Sequence, residues 1–363
     1  MRYVAASLIC LLVHSGCGNN PQPPAVGSPP QQSTPGTIAR GAAENSVTPP
    51  PPATLSPREP KSRQFTLHYK FRVKDLKSTG DAERDTVRVW IPLPSTNEHQ
   101  KINPLPETAP VVLEDHQEGR YGNRLRYLQL PIPANGEFTV DLPYEVVRHE
   151  VRTTEKNEQL AELGESERAQ LLAANELVPI TGKPLELLKD LQLSAEPNAR
   201  ARQLYDLVDE HVVYKKEGTG WGRGDTDWVC ENGYGNCTDF HSLFISLARS
   251  QNLPARFEIG FSIPTDKREG PISGYHCWAW FHTRDRSWVP VDISEADKHP
   301  ELKEYYFGNL TADRVMFTTG RDLELQPTPA HRPLNFLIFP YIEVGGETLA
   351  KENVELQFSF KEN

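Results

Sequence analysis

The chain of 363 residues is poor in sulfur and in apolar side chains, with five cysteines, two methionines and a hydrophobic fraction of only 37%. Five scattered cysteines cannot build the dense cross-links of a small disulfide scaffold. Basic residues are also outnumbered, 39 against 49 acidic, leaving a net charge of −10 with no Lys/Arg stripe. Nucleic-acid binding, which depends on cations displacing counterions from phosphates, is excluded on that ground. After the first twenty residues no apolar run has the length needed to cross a bilayer. Proline is plentiful but uneven: many of the 32 lie between Gly18 and Pro60, including Pro49, Pro50, Pro51 and Pro52, where aromatic and large aliphatic residues are almost absent. Such a stretch cannot bury enough surface to offset its ordering entropy and is expected to form an extended tether over residues 18–62. What remains is ample for two cores.

At the N-terminus Arg2 precedes an apolar stretch from Val4 to Val13, followed by Ser15, Gly16 and Cys17. A positive start, a short apolar run and small residues make a secretory signal over residues 1–17 rather than a membrane span. The cysteine after Ser15-Gly16 resembles a bacterial lipoprotein signal, in which Cys17 would carry the lipid; plain secretion is the alternative. With Gly18 following, the anchor would be in the outer membrane and face the periplasm. Membrane contact is then expected only through that anchor.

Period-two alternation begins after the tether. Phe65, Leu67, Tyr69, Phe71 and Val73 form one stripe, Val87, Val89 and Ile91 a second, and Phe138, Val140, Leu142, Tyr144 and Val146 a third in which Pro143 marks an edge or bulge. Short strands with turn signals and no helix predict a small β-sandwich over residues 63–150. Residues 151–196, rich in Leu, Ala, Glu and Lys, read as a helical connector. A second domain with helices and strands is expected over residues 197–363, beginning with an amphipathic helix through Leu204, Leu207 and Val208 and ending in C-terminal strands.

The most informative stretch runs from Gly233 to Ile263. Asn236 is a suitable N-cap with Asp239 three residues on, and Phe240, Leu243, Phe244 and Leu247 recur at helical spacing, so a buried helix is predicted to start near Cys237. A thiol there faces unpaired N–H groups and the positive end of the helix dipole, which favours thiolate. Such a nucleophile needs an imidazole to relay a proton and an acceptor to orient that imidazole. Residues 275–283 form a strand placing His276, Trp278 and Trp280 on one face and Cys277 on the other; residues 287–293 form the next strand. A three-residue loop of Thr283, Arg284 and Asp285 would set His276 opposite Asp292, and moving the loop by one residue would leave them diagonal neighbours.

Gly235-Asn236-Cys237-Thr238-Asp239-Phe240, Leu253-Pro254-Ala255-Arg256, Gly274-Tyr275-His276-Cys277-Trp278 and Trp288-Val289-Pro290-Val291-Asp292 resemble the core of the transglutaminase-like superfamily, cysteine acyltransferases and peptidases. The likeness runs from about Ala199 to Ala296, with Asn252-Leu253 and Trp280 as departures. It implies a papain-like α+β fold, a helix bearing the cysteine packed on an antiparallel sheet, with Cys237 as nucleophile, His276 as general base and acid, and Asp292 as its orienting partner. The β-rich region before it, with Val89-Trp90-Ile91-Pro92-Leu93-Pro94, resembles the segment that often precedes this core in bacterial members. The Cys237 N–H is the natural oxyanion donor, with the indole of Trp221 or Trp228 as a second candidate; both tryptophans could equally wall the cleft. Cys230 and Cys277 could form a disulfide behind the site or stay as buried free thiols. His241 reads as a packed histidine. No cofactor is demanded, and six residues between Cys230 and Cys237 do not suit a zinc site. The resulting expectation is an extracytoplasmic enzyme acting on peptide or carboxamide bonds through a thioester, by hydrolysis or transfer to an amine, with a protein or peptide as substrate. The alternative is an inactive module that binds peptides or envelope components with an aromatic cleft of Trp221, Trp228, Trp278 and Trp280. Nothing in the sequence speaks to oligomeric state.

Overall fold

The computed structural model describes residues 61–153, 162–331 and 333–363. The signal, Cys17, nearly all of the tether and the first part of the connector lie outside the described residues.

Alternation shapes the N-terminal layer. Ser62–Val73 pairs antiparallel with Phe138–His149, and Phe65, Leu67, Tyr69, Phe71 and Val73 are fully buried on one face. A side chain of this kind contributes about 2 kcal/mol when removed from water. The register with Ser62–Val73 runs unbroken past Pro143, so there is no bulge, and the proline stands where the ladder to Gln100–Pro104 stops, a local edge. Two five-stranded sheets make the sandwich, and both recruit strands from far along the chain. Ser62–Val73 pairs on its other side with Val354–Glu362, while Thr86–Pro92 pairs with Tyr341–Val344 and Arg124–Pro131. The C-terminal strands expected in the second domain therefore complete the sandwich, because the first and second stripes still had an unpaired edge to fill. Glu269–Pro271 adds to the same sheet.

Between these contributions lies the core, a four-stranded antiparallel sheet in the order Ser287–Val291, Tyr275–Thr283, Ala255–Ser262, Arg314–Thr319. Helix Cys237–Ser250 packs on it, with Phe240, Leu243, Phe244 and Leu247 fully buried, and helix Pro197–His211 packs on that helix. Gly260 sits at a register shift against Arg314–Thr319, where a Cβ would stand 1.7 Å from the Val315 carbonyl oxygen. Only glycine allows the two strands this close. Sandwich and core share one continuous apolar cluster: Tyr69 stacks on Phe317, and its hydroxyl donates to the Ile338 carbonyl at 2.9 Å. The expected connector contains one short helix, Glu165–Leu172, and a 3₁₀ turn, Lys183–Leu188. Among the described residues no helix is long and apolar enough to cross a membrane.

Candidate active site

Asn236 is in extended backbone and its side chain accepts from the Thr238 N–H at 2.9 Å, so the helix starts at Cys237. Asp239 closes the reciprocal half of this cap by accepting from the Asn236 N–H at 2.8 Å. The same carboxylate accepts from the Gly222 and Gly224 N–H groups at 2.6 and 2.9 Å, tying the glycine-rich loop Gly218–Gly224 to the turn that carries the thiol. Burial raises the Asp239 carboxyl to about 6, against the pull of these three donors. Tyr275 braces the cap from the strand, its hydroxyl accepting from Asn236 Nδ2 at 2.9 Å.

The structure brings His276 and Asp292 to Cys237. His276 Nε2 lies 2.7 Å from Asp292 Oδ2, and the imidazole stands close enough to the Cys237 thiol for each to shift the other's pKa. With Nε2 on the carboxylate, Nδ1 is the ring atom left for sulfur. Burial opposes charge on every member, yet the group holds it. The Cys237 thiol resists ionisation through burial, but hydrogen bonds from Cys277 and His276 and the imidazolium charge pull it well below its ordinary value. Burial would lower His276, whereas the Asp292 charge and hydrogen bond, with the bond to Cys237, raise it to about 9. Asp292 is likewise opposed by burial and is held far below the usual carboxylate range by His276 and Arg314. These directions all favour a thiolate–imidazolium pair steadied by a carboxylate.

The hairpin that delivers the carboxylate differs from the expected one by a residue. Thr283 pairs with Ser287 and Ala279 with Val291, so the loop is Arg284, Asp285 and Arg286, and Asp292 lies beyond the ladder. Asp292 is not a strand residue but the N-cap of helix Ile293–Lys298; its Oδ1 accepts from the Glu295 N–H and the Ser294 hydroxyl, both at 3.2 Å. That leaves Oδ2 for His276.

Two further residues act on the trio. Arg314, 1% exposed, donates to the same Asp292 oxygen that meets His276, so the buried set contains thiolate, imidazolium, carboxylate and guanidinium and sums to zero. It stands on a strand the sequence alone does not bring near Asp292, and no local signal announces it. His241 is fully buried and joins both halves of the site: its Nδ1 lies 2.7 Å from the Cys237 carbonyl oxygen, and its Nε2 accepts from the Ile293 N–H at 3.1 Å. These bonds specify the neutral tautomer with the proton on Nδ1, and burial lowers its pKa to about 4.

Cys277 faces the nucleophile helix rather than the back of the site. Its sulfur lies 3.8 Å from Thr238 Oγ1 and 3.7 Å from His241 Nδ1, near enough to the Cys237 thiol to affect its pKa. Cys230, on helix Thr226–Asn232, is partly exposed; both are free thiols, so the disulfide considered between them is not formed. The tryptophans divide. Trp228 packs edge-on against Tyr234 at 5.2 Å and fills the space beside Gly220, while Trp221 is half-buried in the glycine-rich loop; neither indole N–H is hydrogen-bonded to a described residue. Tyr214 leans on Phe240 of the nucleophile helix. Trp278 and Trp280, 0% and 1% exposed, pack with Val151 and Leu310 on the sheet face away from the nucleophile helix, so they do not form one aromatic cleft with Trp221 and Trp228.

The profile of the transglutaminase-like superfamily matches residues 186–293, which include Cys237, His276 and Asp292. An uncharacterized protein of Haemophilus influenzae is 33% identical over 193 residues, 44% of this chain and 52% of that protein, so the chain spans about half the length of this curated relative. The solved structure of a candidate cysteine protease from Cytophaga hutchinsonii aligns with a TM-score of 0.54 and 14% identity, over 82% of this chain and 90% of that one. At that identity the likeness concerns the fold, which takes in sandwich and core together. Residues 186–293, with their α+β architecture, therefore form a transglutaminase-like core.

Proposed function

We propose that the protein is an extracytoplasmic cysteine enzyme that cleaves or transfers acyl groups at peptide or carboxamide bonds. The Cys237 thiolate attacks the carbonyl carbon, forming a C–S bond, and the oxyanion is met by the Cys237 N–H at the helix start. Collapse breaks the C–N bond as His276 gives its proton to the departing amine, leaving a thioester. Water or a second amine, losing its proton to His276, then attacks the thioester and releases the thiolate. Hydrolysis and amine transfer use the same residues and differ in the acceptor admitted. The observation that carries this reading is the His276 ring held between Asp292 Oδ2 at 2.7 Å and the Cys237 sulfur. Its extracytoplasmic placement rests on the signal ending at Cys17, with lipid attachment at that residue as the proposed anchor.

Iodoacetamide at pH 6 with mass mapping tests the nucleophile. Cys230 is pushed up to about 12, chiefly by burial, and Cys277 is also raised by burial, so label should collect on Cys237 and disappear in His276→Ala. An inert Cys237 in the wild type would return the protein to the class of binding modules. A glutamine-containing peptide library, with and without a primary amine, separates amine adducts from free acid and ammonia.

A further inference from the structure

A second polar site lies where the sandwich meets the far face of the core sheet. The stripe of Phe138–His149 continues its buried alternation through Val146 to Arg148, so an arginine occupies the position where the next core side chain would stand. Arg148 is 2% exposed, and its register partner Gln100 bonds to the Met316 backbone across the interface. Beside it opens a cavity of about 320 Å³, lined by His99, Arg256, Glu258, Trp280 and the rim residue Glu98 among others. His99 lies flat on Trp280, with ring centroids 5.6 Å apart.

Donors outnumber acceptors around this cavity. Arg148 Nε and Nη2, Arg256 Nε and Trp280 Nε1 are all buried and have no hydrogen-bond partner. The carboxylates are already engaged: Glu258 accepts from Trp278 Nε1 at 2.8 Å and pairs with Arg256 at 3.1 Å, and Glu98 pairs with His99 at 3.1 Å. Arg148 has no carboxylate in ion-pair contact among the described residues, and burial lowers its pKa to about 10. Folded proteins rarely leave a buried guanidinium without a counter-charge.

We propose that this cavity binds a small monocarboxylate, with Arg148 as its charge partner and the Arg256 and Trp280 N–H groups as further donors after small side-chain adjustments. One uncompensated cation matches one negative charge, and the flanking Glu98 and Glu258 would repel a dianion. The space equals roughly ten waters, enough for an organic acid of amino-acid size. Trp280 follows His276 by four residues, about 13 Å along the strand, so the ligand would not touch the sulfur. The assignment does not depend on the cysteine chemistry.

The test is titration of the purified full chain with sodium acetate at constant ionic strength, chloride and inorganic phosphate serving as competing anions, followed by calorimetry and thermal unfolding. Saturable acetate binding is expected, weakened about tenfold or more in Arg148→Met and tightened in Glu98→Gln. In acetate-free buffer Arg148→Met should melt no lower than wild type, because an unpaired buried charge has been removed. If Arg148→Met does not fold, Trp280→Phe, which deletes one donor, should weaken acetate while Glu98→Gln tightens it. Absence of saturable binding, affinity unchanged by these substitutions, or phosphate bound as tightly as acetate overturns the proposal.

Discussion

Asp292→Asn removes one charge from a buried set of four that sums to zero, and the structure separates its effect on stability from its effect on reactivity. Arg314, 1% exposed, would lose the carboxylate it donates to and keep only the longer 3.9 Å ion pair with Asp313. Breaking such a pair from one side costs about 3–5 kcal/mol. At about 2–4 °C per kcal/mol for a large domain, the melting temperature should fall by about 6–20 °C. Arg314→Met combined with Asp292→Asn removes that buried cation too, so much of that loss should return. Reactivity should not return. Asp292 is the largest influence raising His276 to about 9, and without it burial dominates and the imidazole becomes neutral near pH 7. A neutral imidazole no longer holds the thiolate. The assay pairs thermal unfolding by circular dichroism with the rate of Cys237 alkylation from pH 5 to 10. A single variant that melts within a degree or two of wild type, or a double variant with the wild-type alkylation profile, would refute the four-charge account.

Three further outcomes can be checked. The Cys277 thiol is one of the groups that hold the Cys237 pKa down, so Cys277→Ala should move the alkylation profile to higher pH, whereas Cys277→Ser keeps a donor and should restore it. His241 titrates at about 4 in the folded chain against 6.5 unfolded, so the unfolded state takes up more protons between these values and this residue's contribution to stability is lost as pH falls through that window. It is worth about 3 kcal/mol in full; urea unfolding at pH 4.5 and 7 should show a smaller difference in His241→Gln than in wild type, and an identical difference would remove His241 from the acid sensitivity. Gly260→Ala forces a Cβ to 1.7 Å from the Val315 oxygen. It should lower stability by about 1–3 kcal/mol or more, measured by thermal unfolding, and a neutral result would mean the two strands separate freely.

Properties encoded by neighbours in the chain were legible without coordinates. The stripe from Phe65 to Val73 follows from period two, and the helix start at Cys237 follows from Asn236 and Asp239, whose reciprocal cap spans only four residues. His276 and Asp292 could be related because a short hairpin joins them, although the loop sits one residue further along and Asp292 caps a helix. The remaining features depend on contacts between distant segments. Phe65 pairs with Glu362, so the sandwich is complete only when strands far apart in the sequence have met, and no local pattern says which edge the last strand will fill. Arg314 reaches Asp292, Cys277 turns toward Cys237, and Arg148 has no carboxylate in ion-pair contact among the described residues, all through packing of elements far apart in sequence. Periodicity and capping are local free-energy preferences, whereas the balance of buried charge is decided only when the folded chain excludes water and selects which groups face each other.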